Sequence, residues 1–285
     1  MKRNGSSLFL VFLLLSVLPA CSPNNVSDKQ ESFQPELEAY SMPWTAPLLT
    51  PSPRQFRDNH LISVVFRSDI EVLGKLVPLP LIPNPDGQMF FYIGHFNFEY
   101  QINEIFSFHE AGIGIPVTYE WNPGNYFIVL YVDEALPIVE GREIWGFPKK
   151  DAHIVYEETK EKISAQVNRL GTVIAELSAN LSEEVQPILD QTPANFYNFK
   201  IIPSVKKGAF PEVMQLTSYT RIAKTLSLKT ASQISLKFSS TGEDPLGEIS
   251  VLDIVGGSLK IQDGVTNYGE VLYDYLRPSF QPDIQ

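Results

Sequence analysis

The run Glu140-Gly141-Arg142-Glu143-Ile144-Trp145-Gly146-Phe147-Pro148-Lys149-Lys150 places two adjacent lysines directly after an aromatic–proline pair. A lysine becomes a nucleophile only when its ammonium has lost its proton. Two features of this run favour the loss: apolar surroundings from Trp145, Phe147 and Pro148, which disfavour charge by desolvation, and the like charge of the neighbouring lysine. The bland alternative is a solvated Lys-Lys pair at a turn after a helix, which is what most such pairs are.

The elements that must position these lysines read mostly as strands. Leu61–Phe66, Phe90–Phe98, Tyr126–Val132, Ile163–Val167, Val173–Leu177, Phe196–Ile202, Gln233–Phe238 and Glu248–Val255 are rich in β-branched or aromatic residues, and Gly, Pro, Asn or Asp bounds most of them. Their spacing predicts a mainly β (α+β) fold, a closed antiparallel barrel or cone with a few short peripheral helices. Ser68-Asp69-Ile70-Glu71 is a capping-box pattern opening a short helix that Pro78 must end. A second helix is expected within Asp133–Trp145, starting close to Pro137 and delivering Phe147-Pro148-Lys149 just after its C-terminus. The charged run Glu157–Lys162 reads as a solvated hairpin tip.

Met1-Lys2-Arg3 followed by the apolar run Leu8–Leu18 suits a signal peptide over residues 1–20 and is too short to span a bilayer. It ends at Leu18-Pro19-Ala20-Cys21, and small residues before the single cysteine of the chain predict a lipidated Cys21. Residues 21–45 are rich in Ser, Asn, Gln, Glu and Pro and read as a flexible tether, leaving residues 46–285 as one folded domain. The expected location is extracytoplasmic, as a membrane-anchored lipoprotein, with plain secretion as the runner-up. One cysteine excludes an intrachain disulfide framework and a cysteine-based metal cage. The formal net charge of −11 becomes −13 once Lys2 and Arg3 leave with the signal, 20 basic against 33 acidic residues. Such a domain is poorly suited to nucleic acid or an anionic membrane surface, so membrane contact is expected only through the anchor. An anionic substrate would need a local positive site.

Beyond the lysines, Phe66-Arg67-Ser68-Asp69, Glu110-Ala111-Gly112-Ile113-Gly114-Ile115-Pro116-Val117, Asn198-Phe199-Lys200-Ile201-Ile202-Pro203 and Gly269-Glu270-Val271-Leu272-Tyr273-Asp274-Tyr275-Leu276 occur in that order. Together with GREIWGFPKK, they resemble the acetoacetate decarboxylase family from about residue 45 to the C-terminus. The resemblance implies that Lys149 forms a Schiff base with a β-keto acid, that Lys150 is its activating neighbour, and that Glu110 orients substrate or shuttles protons. It implies no metal and no organic cofactor, a small keto acid as partner, and homo-oligomers, although anchoring at Cys21 would restrict assembly. Two positions depart from the family pattern: the family's other glutamate falls on Tyr92 and its arginine on Asn59. Arg57, two residues from Asn59, would share its strand face and is the expected substitute for binding a carboxylate. Tyr92, Phe98, Tyr131 and Phe147 are the candidates for setting substrate size. Three readings stay open: a decarboxylase of acetoacetate or a related β-keto acid, another Schiff-base lyase of aldolase–dehydratase type, and an extracytoplasmic binding protein with a relict pocket.

Other motifs carry little. His60, His95, His109 and His153 lack metal-ligand spacing, and His109, adjoining Glu110, should point to the opposite face of its strand. Gly112-Ile113-Gly114 precedes a strand and lacks the third glycine of a dinucleotide loop. Gly256-Gly257-Ser258 lacks the flanking glycine of a nucleophile elbow.

Overall fold

Leu61-Ile62-Ser63-Val64-Val65-Phe66 is apolar at nearly every position, the pattern of a strand covered on both faces. In the computed structural model it forms the centre of β1 (Arg54–Arg67). Residues 40–101, 104–185 and 194–277 are described; the expected signal peptide, Cys21 and most of the tether lie outside them. From Leu49 onward the chain forms one unit, and residues 40–48, part of a separate one, consist of turns and bends.

After β1 come a short helix, α1 (Ile70–Leu76), and the strands β2 (Ile82–Pro83), β3 (Gln88–Gln101), β4 (Glu104–Tyr119) and β5 (Asn122–Val132). A second helix, α2 (Ala135–Glu140), runs into a wider π-type turn at Gly141–Trp145 and then β6 (Lys149–Asp151). The rest is β7 (His153–Glu158), β8 (Lys162–Arg169), β9 (Thr172–Leu181), β10 (Ala194–Ile202), β11 (Val213–Phe238) and β12 (Asp253–Asp274). The Glu157–Lys162 run is the β7–β8 turn. Asp69, not Ser68, caps α1, its side chain accepting from the Glu71 N–H at 2.8 Å. That helix stops where Val77 turns extended ahead of Pro78. Among the described residues no helix is long and apolar enough to cross a membrane.

The strands pair in the order β10-β5-β4-β3-β1-β12-β11-β9-β8-β7, and β10 also pairs with β11, so the pairing returns on itself through seven strands. Most pairs are antiparallel, but β10–β5 and β5–β6 are parallel, which makes the sheet mixed where uniform antiparallel pairing was expected. The sheet buries both faces of β1, β3 and β4. Ile62, Val64, Phe66, Phe91 and Ile113 join Ile163, Val167 and Ile174 of the β8–β9 layer in the main core. Each such side chain contributes about 1.5–3 kcal/mol of burial free energy. The alternate residues Phe90, Tyr92, Phe96, Phe98 and Phe108 line a cavity on the other side.

Two strand expectations are corrected. Glu248–Val255 is not one strand: a 3-10 turn at Leu246–Glu248 precedes β12, which begins at Asp253 and runs to Asp274. Gln233–Phe238 is only the end of the 26-residue β11.

Candidate active site

β6 pairs with β5 in parallel, Lys149 opposite Leu130 and Lys150 opposite Tyr131. Successive strand residues face opposite ways, so the two lysines cannot enter one pocket. Lys149 turns into the cavity and is only 8% exposed. Its Nζ lies 2.7 Å from Glu110 Oε2, 5.2 Å from the Phe147 ring centre and 5.6 Å from that of Phe108. Lys150 turns the other way, and its Nζ donates to Asp244 Oδ1 at 2.7 Å and to the Glu243 carbonyl at 2.9 Å. Burial pushes the Asp244 carboxyl up, but hydrogen bonds from Lys150 and Tyr131 outweigh it and hold the group below its ordinary pKa. The charge of Lys150 is therefore met by a carboxylate outside the cavity. Its expected place beside the Lys149 amine is corrected by strand alternation.

The segment before Lys149 is held rigidly. The Trp145 carbonyl accepts from Thr217 Oγ1 at 2.8 Å and from Asn198 Nδ2 at 3.3 Å, while the indole donates to the Asn267 carbonyl at 3.0 Å. Gly146 then reverses the chain at φ 77°, and a Cβ there would stand 2.8 Å from the Lys200 Cα, so this turn admits only glycine. Gly141 lies against the lysine stem. A Cβ there would stand 2.8 Å from Lys149 Cδ and Cε and 3.0 Å from the Phe147 ring. Gly141→Ala should displace the amine from Glu110 and lower kcat/KM by roughly 10–100-fold, as a misplacement near 1 Å does. Steady-state kinetics beside a thermal melt would check that the loss is one of position and not of folding.

Glu110 is buried on β4, and its second oxygen, Oε1, accepts from the Tyr92 hydroxyl at 2.6 Å. Tyr92 lies across the β3–β4 pair opposite Gly112. Burial, and then the Glu110 charge, pushes the Tyr92 hydroxyl well above its ordinary pKa, so it remains a donor. The cavity, about 520 Å³, is walled largely by aromatic rings, including Phe98, Phe127, Phe147, Phe196 and Tyr219. At its rim of charge, Arg54 pairs with Glu140 in a buried contact and donates to the Thr50 carbonyl at 2.8 Å. Arg221 lines the same cavity.

Three of the expected pocket residues lie elsewhere. Residues 57 and 58 face only Asp263 in the β1–β12 register, a bulge with Asp58 at φ 48°. The bulge breaks the alternation that was to carry Arg57 inward. Arg57 instead lies at the surface with its Nε 2.8 Å from Glu99 Oε1. Asn59 is fully buried, but its Oδ1 accepts from the Asn97 N–H at 2.8 Å and it does not line the cavity. Tyr131 also leaves the pocket: its hydroxyl donates to Asp244 at 2.9 Å. Tyr92, Phe98 and Phe147 do line it.

With this geometry in view, the family comparison is direct. The profile of the family described as Acetoacetate decarboxylase (ADC) matches residues 41–276. The acetoacetate decarboxylase of Burkholderia vietnamiensis is 31% identical over 253 residues, which cover 84% of this chain and 96% of the relative. The chain belongs to the acetoacetate decarboxylase family. It is accordingly a decarboxylase-like enzyme. A solved acetoacetate decarboxylase superposes with a TM-score of 0.74 at 24% identity, covering 84% of this chain and 97% of that one. The enduracididine biosynthesis enzyme MppR, complexed with the condensation product of pyruvate and imidazole 4-carboxaldehyde, has the same fold, with a TM-score of 0.72, 20% identity and 83% and 97% coverage. Tyr92 and Glu110 belong to the two arms of the β3–β4 hairpin, paired in register from Phe90–Gly114 to Glu99–Ile105. Arg54, Glu140, Tyr219 and Arg221 were missed from sequence. The available signal was the same-face pair Tyr219 and Arg221, two residues apart in β11.

On the reverse face of β1, β3 and β4, His60, His95 and His109 stand opposite one another in register. His60 Nδ1 lies 3.0 Å from Glu158 Oε2 and Nε2 3.4 Å from Asp58 Oδ1; His109 Nδ1 lies 2.7 Å from Asp133 Oδ2. His109 thus faces away from Glu110. The Tyr156 ring flanks it, and the His95 ring lies 5.1 Å from it. The Glu158 hydrogen bond raises the His60 pKa, whereas burial, then His109 and His60, lower that of His95. Stabilisation from His60 is complete below its unfolded pKa and is lost as pH rises through the raised folded value; that from His95 is present above the unfolded pKa and is lost as pH falls. Their unfolded values lie near ~6.5. In a melting series His60→Gln should therefore flatten the alkaline side and His95→Gln the acid side, the two windows meeting at ~pH 6.5. The Glu158 and Asp133 carboxyls, held below their ordinary values against burial by His60 and His109, act only at lower pH.

Proposed function

We propose that the enzyme decarboxylates a β-keto acid through an imine on Lys149. The observation carrying this reading is a buried lysine amine in an aromatic cavity with a carboxylate oxygen 2.7 Å away. Glu110 Oε2 is placed to take the ammonium proton, freeing the amine to attack the ketone carbon; the carbinolamine then loses water to give the protonated imine. The bond to the carboxylate breaks, carbon dioxide leaves, and the electron pair moves into the imine to give an enamine. Protonation at carbon and hydrolysis return the ketone and the free lysine. Phe108 and Phe147 exclude water from the reacting carboxylate, which favours its conversion to neutral carbon dioxide.

A second reading, a Schiff-base lyase that condenses a keto acid with an aldehyde, is favoured by one feature: Tyr92, a neutral donor, stands where the resemblance puts a second carboxylate. Borohydride trapping with acetoacetate and a panel of longer β-keto and α-keto acids, with peptide mapping and carbon dioxide measurement, separates the readings. An adduct on Lys149 with carbon dioxide evolved supports the decarboxylase. An adduct without it supports the second reading, and no adduct with any keto acid removes both.

Export is part of the same proposal: cleavage before Cys21 and lipidation there would tether the domain outside the cytoplasm. The Leu8–Leu18 run and the small residue before the cysteine support it. Labelled palmitate should enter the wild-type chain and not Cys21→Ser; equal labelling of both would remove the anchor.

A further inference from the structure

Arg221 has no part in the steps above, yet it lines the same cavity. It lies on β11 two residues beyond Tyr219, in register with Ala194 on one side and Thr266 on the other, and Thr266 in turn faces Arg54. Its Nε and Nη2 are buried and have no hydrogen-bond partner among the described residues, and its guanidinium carbon lies 5.3 Å from the Phe56 ring centre. The other charges of the cavity mostly close on each other, Lys149 on Glu110 and Arg54 on Glu140. Among the described residues, Arg221 has no ion-pair partner, so its end of the cavity carries uncompensated positive charge; Lys260, also without one, lines the cavity six residues along β12 from Thr266. Burying a guanidinium without acceptors is costly, and a planar carboxylate matches its donors.

The position of that charge indicates which carboxylate it fits. Lys149 Nζ sits over Phe147, the Phe147 ring meets that of Tyr219 at 5.1 Å, and Tyr219 stacks on Phe196. Arg221 lies one same-face step further along the strand, roughly 7 Å. A group held there lies beyond Tyr219 along the strand, whereas the leaving carboxylate sits beside the imine at Lys149 and Phe147. The cavity volume of about 520 Å³ falls among sites for drug-sized ligands, about 300–1,000 Å³, and far exceeds the needs of a four-carbon keto acid.

We propose that Arg221 binds a second, distal carboxylate, so that the substrate is a β-keto dicarboxylic acid whose apolar spacer lies along Phe147, Tyr219 and Phe196. The inference rests on the Schiff-base reading of Lys149. The carboxylate next to the ketone leaves as carbon dioxide, its bonding pair passes to the imine, the enamine carbon takes a proton, and the distal carboxylate stays on Arg221 in a keto monoacid product.

The test compares 3-oxo-octanedioate with 3-oxo-octanoate and acetoacetate, using wild type, Arg221→Gln and Arg221→Lys. Wild type should prefer the diacid over the monoacid of equal length by at least about tenfold in kcat/KM, the low end for a charged hydrogen bond. Arg221→Gln should raise KM for the diacid by about 10–100-fold and leave acetoacetate within about twofold, and Arg221→Lys should recover part of the loss. No diacid preference in wild type overturns the proposal. An equal loss with acetoacetate also overturns it, because Arg221 would then hold the reacting carboxylate. Calorimetry with octanedioate, which has no ketone, reads the guanidinium independently of imine chemistry. Binding to wild type that is lost in Arg221→Gln supports the distal site even if no keto acid is trapped, and absence of wild-type binding sinks it.

Discussion

Lys149→Met protein is expected to form no borohydride-stable adduct with any keto acid and to lose at least ~10⁴-fold in kcat, as enzymes do when the nucleophile itself is removed. It should also be less stable. The Lys149 and Glu110 side chains are 8% and 11% exposed, and removing the cation leaves the carboxylate, among the described residues, with the Tyr92 hydroxyl 2.6 Å from Oε1. Orphaning one member of a buried ion pair costs about 3–5 kcal/mol, or roughly 6–20 °C in Tm for a domain of this size. Lys149→Met with Glu110→Gln should recover most of that stability and none of the activity. Lys149→Arg, which keeps the charge but cannot form the imine, should melt near wild type and stay inactive. Imine trapping and thermal unfolding of these three proteins thus separate chemistry from packing. Wild-type turnover by Lys149→Arg would remove Lys149 as the nucleophile, whatever the melting data show.

What the sequence disclosed of this site depended on how local the signal was. Lys149 and Phe147 belong to one short run, and Glu110 and Tyr92 lie in adjacent strands whose pairing follows from a single hairpin. Lys150 was misassigned because sequence adjacency was read as spatial adjacency, whereas a strand sends neighbouring residues to opposite faces. Arg57 failed through the opposite error. Alternation was assumed across Asp58, where a bulge interrupts it. The Arg221 end of the cavity was hidden for a different reason. On β11 the inward residues Tyr219, Arg221, Ala223 and Thr225 line the cavity, and the intervening ones are largely polar, so neither face shows the apolar alternation that marks a half-buried strand. The Arg54–Glu140 pair joins residues 86 apart, and only the assembled sheet and helix bring them together. The mainly β class was legible because so many strands are apolar on both faces. The parallel pairings of β5 with β6 and β10 were not, since pairing direction leaves no mark on composition.

Tyr92→Phe tests whether the neutral hydroxyl serves the reaction or only packs in the cavity wall. By holding Glu110 Oε1 at 2.6 Å, Tyr92 fixes the carboxylate with its other oxygen on the lysine. A hydrogen bond to a buried charge is worth about 1.5–3 kcal/mol, so its removal should lower kcat by roughly 10–100-fold. KM should change little and the Lys149 adduct should still be trapped, because the amine and the cavity walls remain. Tyr92→Glu should behave differently. Two carboxylates meeting in a buried site cannot both ionise at ordinary pH, so one must retain a proton. The acid limb of its pH–rate profile should therefore move to higher pH, by at least about one unit. If Tyr92→Phe leaves kcat unchanged, Glu110 needs no orienting donor. If it abolishes the adduct as well, Tyr92 takes part in imine formation itself, as the acid that protonates the departing hydroxyl of the carbinolamine. That outcome would fit the chemistry of a residue whose hydroxyl is kept protonated by burial and by the Glu110 charge beside it.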